Sequence, residues 1–363
     1  MKAADPKNLN RFPHADRRFG RILMLLLAAL FLVGILSLAT GSVSISPGRV
    51  LGILTGRERE TDFADIVLQI RFPRVLTAAV LGGGLSLSGY LLQTYFANPI
   101  AGPFVLGISS GAKLAVTGAL VLWAGTRHFV TNGMLVLAAF LGAMLVTGLV
   151  IVSSHTVHSQ SALLVVGIMI GYLCSAGSDF LVTFADDADI VNLSAWSRGS
   201  LSGSSWEDLR LAAVLVLILL FLSILLSKPI GALQLGEAYA ASMGVNVRLL
   251  RLFVILTSSL LSACVTAFAG PISFVGVAVP FLARRLLRTS ESLVLIPSVF
   301  LCGAVFVPLC DLIARTAFSP LEMSISTVTA LSGAPVVIYM MVHRRQHSIR
   351  CTQGVQNGSG QNT

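Results

Sequence analysis

Charge is what this chain has least of. Only 11% of its 363 residues are Asp, Glu, Lys or Arg, whereas soluble domains carry about 25%. A water-facing surface cannot be assembled from so few charges, which excludes an ordinary soluble enzyme. Cysteine is also sparse. The five present (Cys174, Cys264, Cys302, Cys310, Cys351) are scattered, four of them inside apolar runs, with no C-x-x-C pair and no metal-ligand spacing. That excludes a zinc ribbon or a disulfide framework and leaves small core residues. G-x-x-x-x-G-K-[ST] and H-E-x-x-H are both absent, so neither phosphate-loop nucleotide hydrolysis nor zinc proteolysis has its motif.

Apolar length is what the chain has in excess. Hydrophobic residues make up 55% of it, and the mean hydropathy is +0.85. Stretches of about 20 apolar residues, each able to cross a hydrocarbon core of roughly 30 Å, recur from end to end. Backbone polar groups find no water there, so these stretches must be helices. The expected fold is an all-α polytopic membrane protein with ten spans. They fall near 22–38, 75–94, 105–123, 133–152, 162–184, 209–226, 252–268, 274–287, 293–313 and 328–342. Span 8 is short and interrupted by Pro280. Residues 1–20 read as a basic cytoplasmic leader, 21–343 as the ten-span unit, and 344–363 as a disordered cytoplasmic tail. The first run lacks a small-residue cleavage site and reads as a retained span.

The net charge of +9 is distributed by side. Basic residues gather at the N-terminus, at Lys228, Arg248 and Arg251, at Arg284, Arg285 and Arg288, and in the tail. Acids gather at Glu58 to Asp65 and at Asp186 to Asp208. This is the positive-inside pattern, and it does not indicate nucleic acid. It places both termini in the cytoplasm, and ten spans agree.

One polar island, 228–251, interrupts the apolar runs. Within it Gly236-Glu237-Ala238-Tyr239-Ala240-Ala241-Ser242-Met243-Gly244 reads as a two-turn helix of small residues that Gly244 ends. So compact a loop cannot be a domain, and its small side chains admit another protein's surface; it reads as a docking element or as a plain interhelical loop. Span 2 carries Gly82, Gly83, Gly84 and Gly89, and the pairs Gly107/Gly111 and Gly167/Gly171 give small-residue packing faces. Ala101-Gly102-Pro103 before span 3 and Ala269-Gly270-Pro271 before span 8 echo each other five crossings apart. That spacing fits an inverted repeat of spans 2–5 and 7–10.

Gly107-Ile108-Ser109-Ser110-Gly111 matches G-x-S-x-G, but it opens a membrane helix without the strand and turn a hydrolase needs, so helix packing is the better reading. Two acids lie in apolar runs. Asp311 has Arg315 one turn on as a partner, whereas Asp179 has none that spacing reveals and could be a proton-relay carboxyl or a buried acid. Arg71, Arg74 and Arg315 sit at outer helix ends against the positive-inside bias. They could snorkel to lipid phosphates or pair with carboxylates of a docking protein.

The blocks RFPRVLTAAVLGGGLSLSGYLLQTYFANPIAGPFVLGISSGA, GEAYAASMGVNVRLLR, AFAGPISFVGVAVPFLARR and DLIARTAFSPLEMSISTVTALSGAPVVIYMM occur in the order seen in a known family. The chain resembles the permease subunits of the iron–siderophore, haem and vitamin B12 ABC importers. The resemblance covers spans 2, 3 and 7 to 10. It implies a ten-span subunit in the bacterial plasma membrane, paired with a second copy or close paralogue around a central path. It also implies two ATPase subunits that hold ATP and Mg, and an extracytoplasmic substrate-binding protein. This chain itself would bind no cofactor or metal and catalyse nothing.

By the same resemblance Gly236, Glu237, Ala238, Ala241 and Gly244 couple to the ATPase, and Arg71, Arg74 and Arg315 meet the binding protein's glutamates. Ser159, Gln160 and Ser161 match the cytoplasmic gate, although they differ from the commoner hydroxyl pair. Ferric siderophore is the first expectation for cargo, with cobalamin, haem or an oxyanion as alternatives. An ion-coupled secondary transporter using Asp179 and an intramembrane hydrolase using Ser109 are readings from other classes.

Overall fold

The structure is a computed structural model describing residues 13–41, 43–57, 62–124, 131–157, 159–319 and 321–359. Residues 1–12 of the expected leader, Glu58 and Glu60, and the last four residues of the tail lie outside them.

Helix α1 (Pro13–Ala39) begins inside the expected leader, and the short α2 (Pro47–Leu54) follows it. Next, α3 (Asp62–Asp65), a π-helical turn (Ile66–Arg71) and α4 (Phe72–Tyr95) form one continuous rod. Span 2 therefore starts about a dozen residues earlier than its hydropathy suggests. Pro73 cannot donate a hydrogen bond within the ladder, and the wide turn before it accommodates the missing bond. A 3-10 turn (Pro103–Leu106) leads into α5 (Ile108–Ala124), followed by α6 (Asn132–Thr156) and α7 (Gln160–Val182). The acidic stretch expected to be an outer loop contains a helix of its own, α8 (Asp187–Ser197).

Helix α9 (Trp206–Leu225) starts on a reciprocal cap. Asp208 N donates to Ser205 Oγ at 3.1 Å, and Ser205 N donates to Asp208 Oδ2 at 3.2 Å. The island folds as α10 (Ser227–Gln234) and α11 (Glu237–Ser242). Then come α12 (Val247–Ala269), α13 (Val275–Leu287), α14 (Ser292–Thr316) and α15 (Ile325–Ser359). Helix α15 thus runs on through 344–359, within the expected tail. No proline or glycine interrupts the stretch from His343 to Gln353.

Among the described residues eight helices are long and apolar enough to cross a membrane. The other two expected spans are α5 and α13. At about 1.5 Å per residue the 13 residues of α13 cover roughly 20 Å, too little for the hydrocarbon core. The non-helical segment Gly270–Phe274 precedes it. Ile272 in that segment is buried, consistent with irregular backbone being tolerated at membrane depth only inside protein.

The bundle is built around α4. Its span is 83% buried and that of α12 is 72%, against 22–33% for α1, α6, α7, α9 and α15. Inside the membrane there is little hydrophobic gain from helix association, so close packing has to carry it. Glycine supplies the closeness. A Cβ at Gly89 would overlap the Gly276 carbonyl of α13, and one at Gly82 would lie 2.5 Å from the Gly303 carbonyl of α14. On the far side, Gly111 and Gly142 bring α5 onto α6, and Gly107 and Gly171 bring it onto α7. The first Ala-Gly-Pro segment packs on the start of α13, where a Cβ at Gly102 would touch Val277 and one at Gly276 would touch Pro103, whereas Gly270 of the second lies against Trp196 and Gly199.

Ser109 is buried at the start of α5, after a 3-10 turn and not a strand, so the G-x-S-x-G pattern serves packing. Gly89→Val is expected to destabilise the fold by more than about 3 kcal/mol, because the clash is with backbone that cannot rotate away. Gly148→Ala, which meets nothing within 4 Å, should leave stability unchanged. Thermal unfolding of both variants in detergent checks the contrast.

Candidate functional site: a coupling joint and an arginine cluster at opposite ends

Helix α4 runs about 36 Å from Phe72 to Tyr95, and the sequence-derived candidates collect at its two ends. At the Tyr95 end lies α11. Gly236 (φ 115°) and Gly244 (φ 80°) flank it in backbone conformations that side-chain-bearing residues rarely adopt. Gly244 N donates to Ala241 O at 3.0 Å and Val245 N to Ala240 O at 3.1 Å, the paired bonds of a glycine-terminated helix. Ala240 is buried, while Glu237, Ala238, Ala241 and Gly244 are exposed. A Cβ at Gly236 or at Gly244 would meet nothing within 4 Å. The helix is a small, open knob.

The structure joins this knob to the expected gate. Glu237 Oε1 accepts from Gln160 Nε2 at 3.0 Å and from Arg251 Nη2 at 3.2 Å. Gln160 is the first residue of α7, and Ser159 caps that helix by accepting from Ala162 N at 3.4 Å. Ser161 is exposed beside them and makes no side-chain hydrogen bond among the described residues. Arg251, from the first turns of α12, also lies over the Tyr95 ring at the end of α4, 5.7 Å from its centroid. One carboxylate therefore ties α11, α7 and α12 together, and one guanidinium ties them to the central helix.

At the other end the three arginines do come together, but they turn inward. Arg71 is 5% exposed and donates to the backbone carbonyls of Leu38 (2.6 Å) and Val43. Arg315 is 8% exposed, pairs with Asp311 at 3.0 Å, and donates to Ser37 and Thr40 carbonyls on and after α1. Arg74 sets its fork on Asp311 (Nη2–Oδ1 2.9 Å) and reaches Glu322 at 3.3 Å.

Arg71 and Arg315 are buried, and the Arg74 side chain is 11% exposed. The helix starts earlier than anticipated, so Arg71 faces the turn after α1 and uses its donors on carbonyls that have no helical partner. Three guanidiniums against two carboxylates leave the cluster with excess positive charge, and Glu322, its side chain half exposed, forms the rim.

Asp179 acquires a partner that spacing did not reveal. Lys113 Nζ on α5 lies 3.5 Å from Asp179 Oδ1 on α7, and the Asp179 side chain is 72% exposed. Beside it, α5 and α7 share hydroxyl bonds, Thr117 to Ser178 at 2.8 Å and Ser175 to Ser110 at 3.4 Å. An ion pair so exposed on a membrane helix cannot face lipid without a cost of several kcal/mol. This face of α7 needs either another protein surface or water.

Such a bundle, with a projecting knob at one end and a charged cluster at the other, is a polytopic helical membrane protein. The FecCD transport family model matches residues 27–343, and the chain belongs to that family. It is 34% identical over 330 residues to the vitamin B12 import system permease protein BtuC of Vibrio vulnificus, covering 91% of this chain and 96% of that one. It is also 34% identical over 330 residues to the hemin transport system permease protein HmuU of Yersinia pestis, covering 90% and 98%. The Fe(3+)-citrate import system permease protein YfmE of Bacillus subtilis is 32% identical over 321 residues, covering 88% and 94%. Among solved structures, one described as an inward-facing conformation of a metal-chelate type ABC transporter matches with a TM-score of 0.79. It is 31% identical and covers 90% of this chain and 99% of its own.

Asp311 holds two buried cations, so Asp311→Asn should cost about 3–5 kcal/mol, the loss typical of breaking a buried pair by removing one partner. Glu322→Gln, at the rim, should cost no more than about 1 kcal/mol. Denaturation midpoints of the two variants test this ordering.

Proposed function

We propose that the chain is the membrane-spanning permease subunit of an ATP-driven, binding-protein-dependent importer. The Gln160–Glu237–Arg251 joint carries this reading, because it gives force applied to α11 a direct route into α7, the helix with the exposed charged face. In this cycle a partner ATPase seats α11 and moves it on binding ATP. Through Glu237 the movement reaches the first turn of α7, and the path between two paired copies changes access. No covalent step is asked of this chain; differential contacts in two packings are enough. Gly236, Ala238, Ala241 and Gly244 supply the close-approach surface, and Ser159, Gln160 and Ser161 form the inner closure.

A second copy covers the α7 face that bears Asp179. The basic clusters at the α11 end support a cytoplasmic setting for that end. At the opposite end a binding-protein carboxylate takes the place of Glu322 on Arg74, while Arg315 holds Asp311 in position and Arg71 fixes the turn after α1. ATP and Mg belong to the partner ATPase.

The cargo is a metal complex carried by a chelator or a macrocycle. The relatives named for vitamin B12, hemin and Fe(3+)-citrate support these classes side by side, and ferric siderophores keep no special claim among them. An ion-coupled mechanism on Asp179 is less well supported, since Lys113 already neutralises that carboxyl.

Two measurements test the reading. In proteoliposomes with the ATPase and binding protein, Glu237→Gln should cut cargo transported per ATP at least fivefold while ATP hydrolysis continues; unchanged stoichiometry would reject the joint. Asp179→Asn should leave uptake dependent on ATP and insensitive to collapse of the proton gradient. Uptake that follows the gradient at constant ATP would favour the secondary transporter instead. Labelled ferric chelates, haem and cobalamin in the same vesicles assign the cargo.

A further inference from the structure

Beside the joint, at the same basic end, a cavity of about 630 Å³ opens between α4, α10, α13 and α15. That is within the roughly 300–1,000 Å³ of small-molecule sites. Its wall is mostly apolar, with Leu233, Phe281, Leu295 and Met340 among the lining side chains. Two cations stand in it, Arg284 and Arg285, and no acidic residue lines it.

Three neutral side chains of the wall are occupied by protein groups behind it, and Thr94 Oγ1 has no hydrogen-bond partner among the described residues. Gln93 Nε2 donates to the carbonyls of Gly276 (3.3 Å) and Val277 (3.2 Å). Gln234 Nε2 donates to Tyr90 Oη (3.1 Å) and Ser292 Oγ (3.2 Å), and Asn98 Oδ1 accepts from Ile100 N (3.1 Å).

The guanidiniums are not so placed. Arg284 lies over the Tyr90 ring at 5.2 Å and Arg285 over the Tyr339 ring at 4.7 Å. Neither has a carboxylate within 4.0 Å among the described residues. Ring faces orient a guanidinium but do not cancel its charge. Two adjacent forks with open donors match the oxygens of a phosphate.

Three observations together say which phosphate. The cavity belongs to a membrane-spanning bundle, at the end where positive charge concentrates. Its apolar wall continues onto exposed Leu282 and Leu286 of α13 and exposed Met341 and Val342 of α15. A small soluble anion would have no use for that apolar surface. We propose that the cavity binds the headgroup of an anionic membrane phospholipid, with Arg284 and Arg285 holding the phosphate and the apolar wall taking the glycerol and the first acyl carbons. Juxtamembrane basic pockets meet the anionic leaflet in this way. The proposal does not depend on which cargo is carried.

Native mass spectrometry of the full chain, purified with phosphatidylglycerol or phosphatidylcholine, tests this. The wild-type chain should retain one phosphatidylglycerol, and Arg284→Gln/Arg285→Gln should reduce retention at least tenfold. Arg248→Gln, exposed at the same end and outside the cavity wall, should retain it. Should the double variant fail to fold, Ser290→Trp on the exposed rim closes the cavity with both arginines intact and must displace the lipid equally. Equal retention by the cavity variants, equal retention of phosphatidylcholine, or displacement by millimolar inorganic phosphate would overturn the proposal.

Discussion

The structure depends on how closely α4 is approached by its neighbours. A helix buried on all sides in a bilayer gains little from the hydrophobic effect, so its attachment rests on van der Waals contact at short range. Gly82 and Gly89 provide that range by letting the carbonyls of Gly303 and Gly276 reach the backbone of α4. Interfaces this tight hold one arrangement or another and do not deform gradually. Movement is therefore confined to elements that do not share the contact, and these are the outer helices, α7 above all, together with α11.

That division explains the contrast between the ends of the bundle. Where α4 begins, Asp311 gathers Arg74 and Arg315 around one buried carboxylate, and Arg71 closes the turn after α1. Such a cluster is rigid, because every displacement exposes an unpaired charge to a low-dielectric interior. Where α4 ends, the contacts of Glu237 are partly exposed and made by long side chains. Exposed contacts of that kind are cheap to strain and remake. Rigidity at one end and compliance at the other suit a device pushed from the compliant side.

Much of the architecture was legible in the sequence because apolar length and glycine spacing act locally. All ten expected spans correspond to helices, and Gly244 ends α11 through the left-handed turn its position suggested. The long-range pairings were not legible. Lys113 and Asp179 are 66 positions apart, and Gln160 and Glu237 are 77 apart; no periodicity links them. Arg251 and Glu322 were passed over because an island or a helix end normally carries such charges without consequence. Lys113 did carry a signal, as a lone lysine in an apolar span. The inward turn of Arg71 escaped the sequence because it follows from the π-helical turn before Pro73, which hydropathy cannot register.

The central claim is that α11 and the start of α7 travel as one body against a fixed α4. Spin labels at Ala241 and Ser161, with a third position at exposed Ile70, on the rod that continues into α4, as reference, report this in the assembled importer by electron–electron distance measurement. The account predicts an Ala241–Ser161 distance that is the same with and without ATP, while both distances to Ile70 shift on ATP binding. An Ala241–Ser161 distance that changes as much as the other two would contradict it.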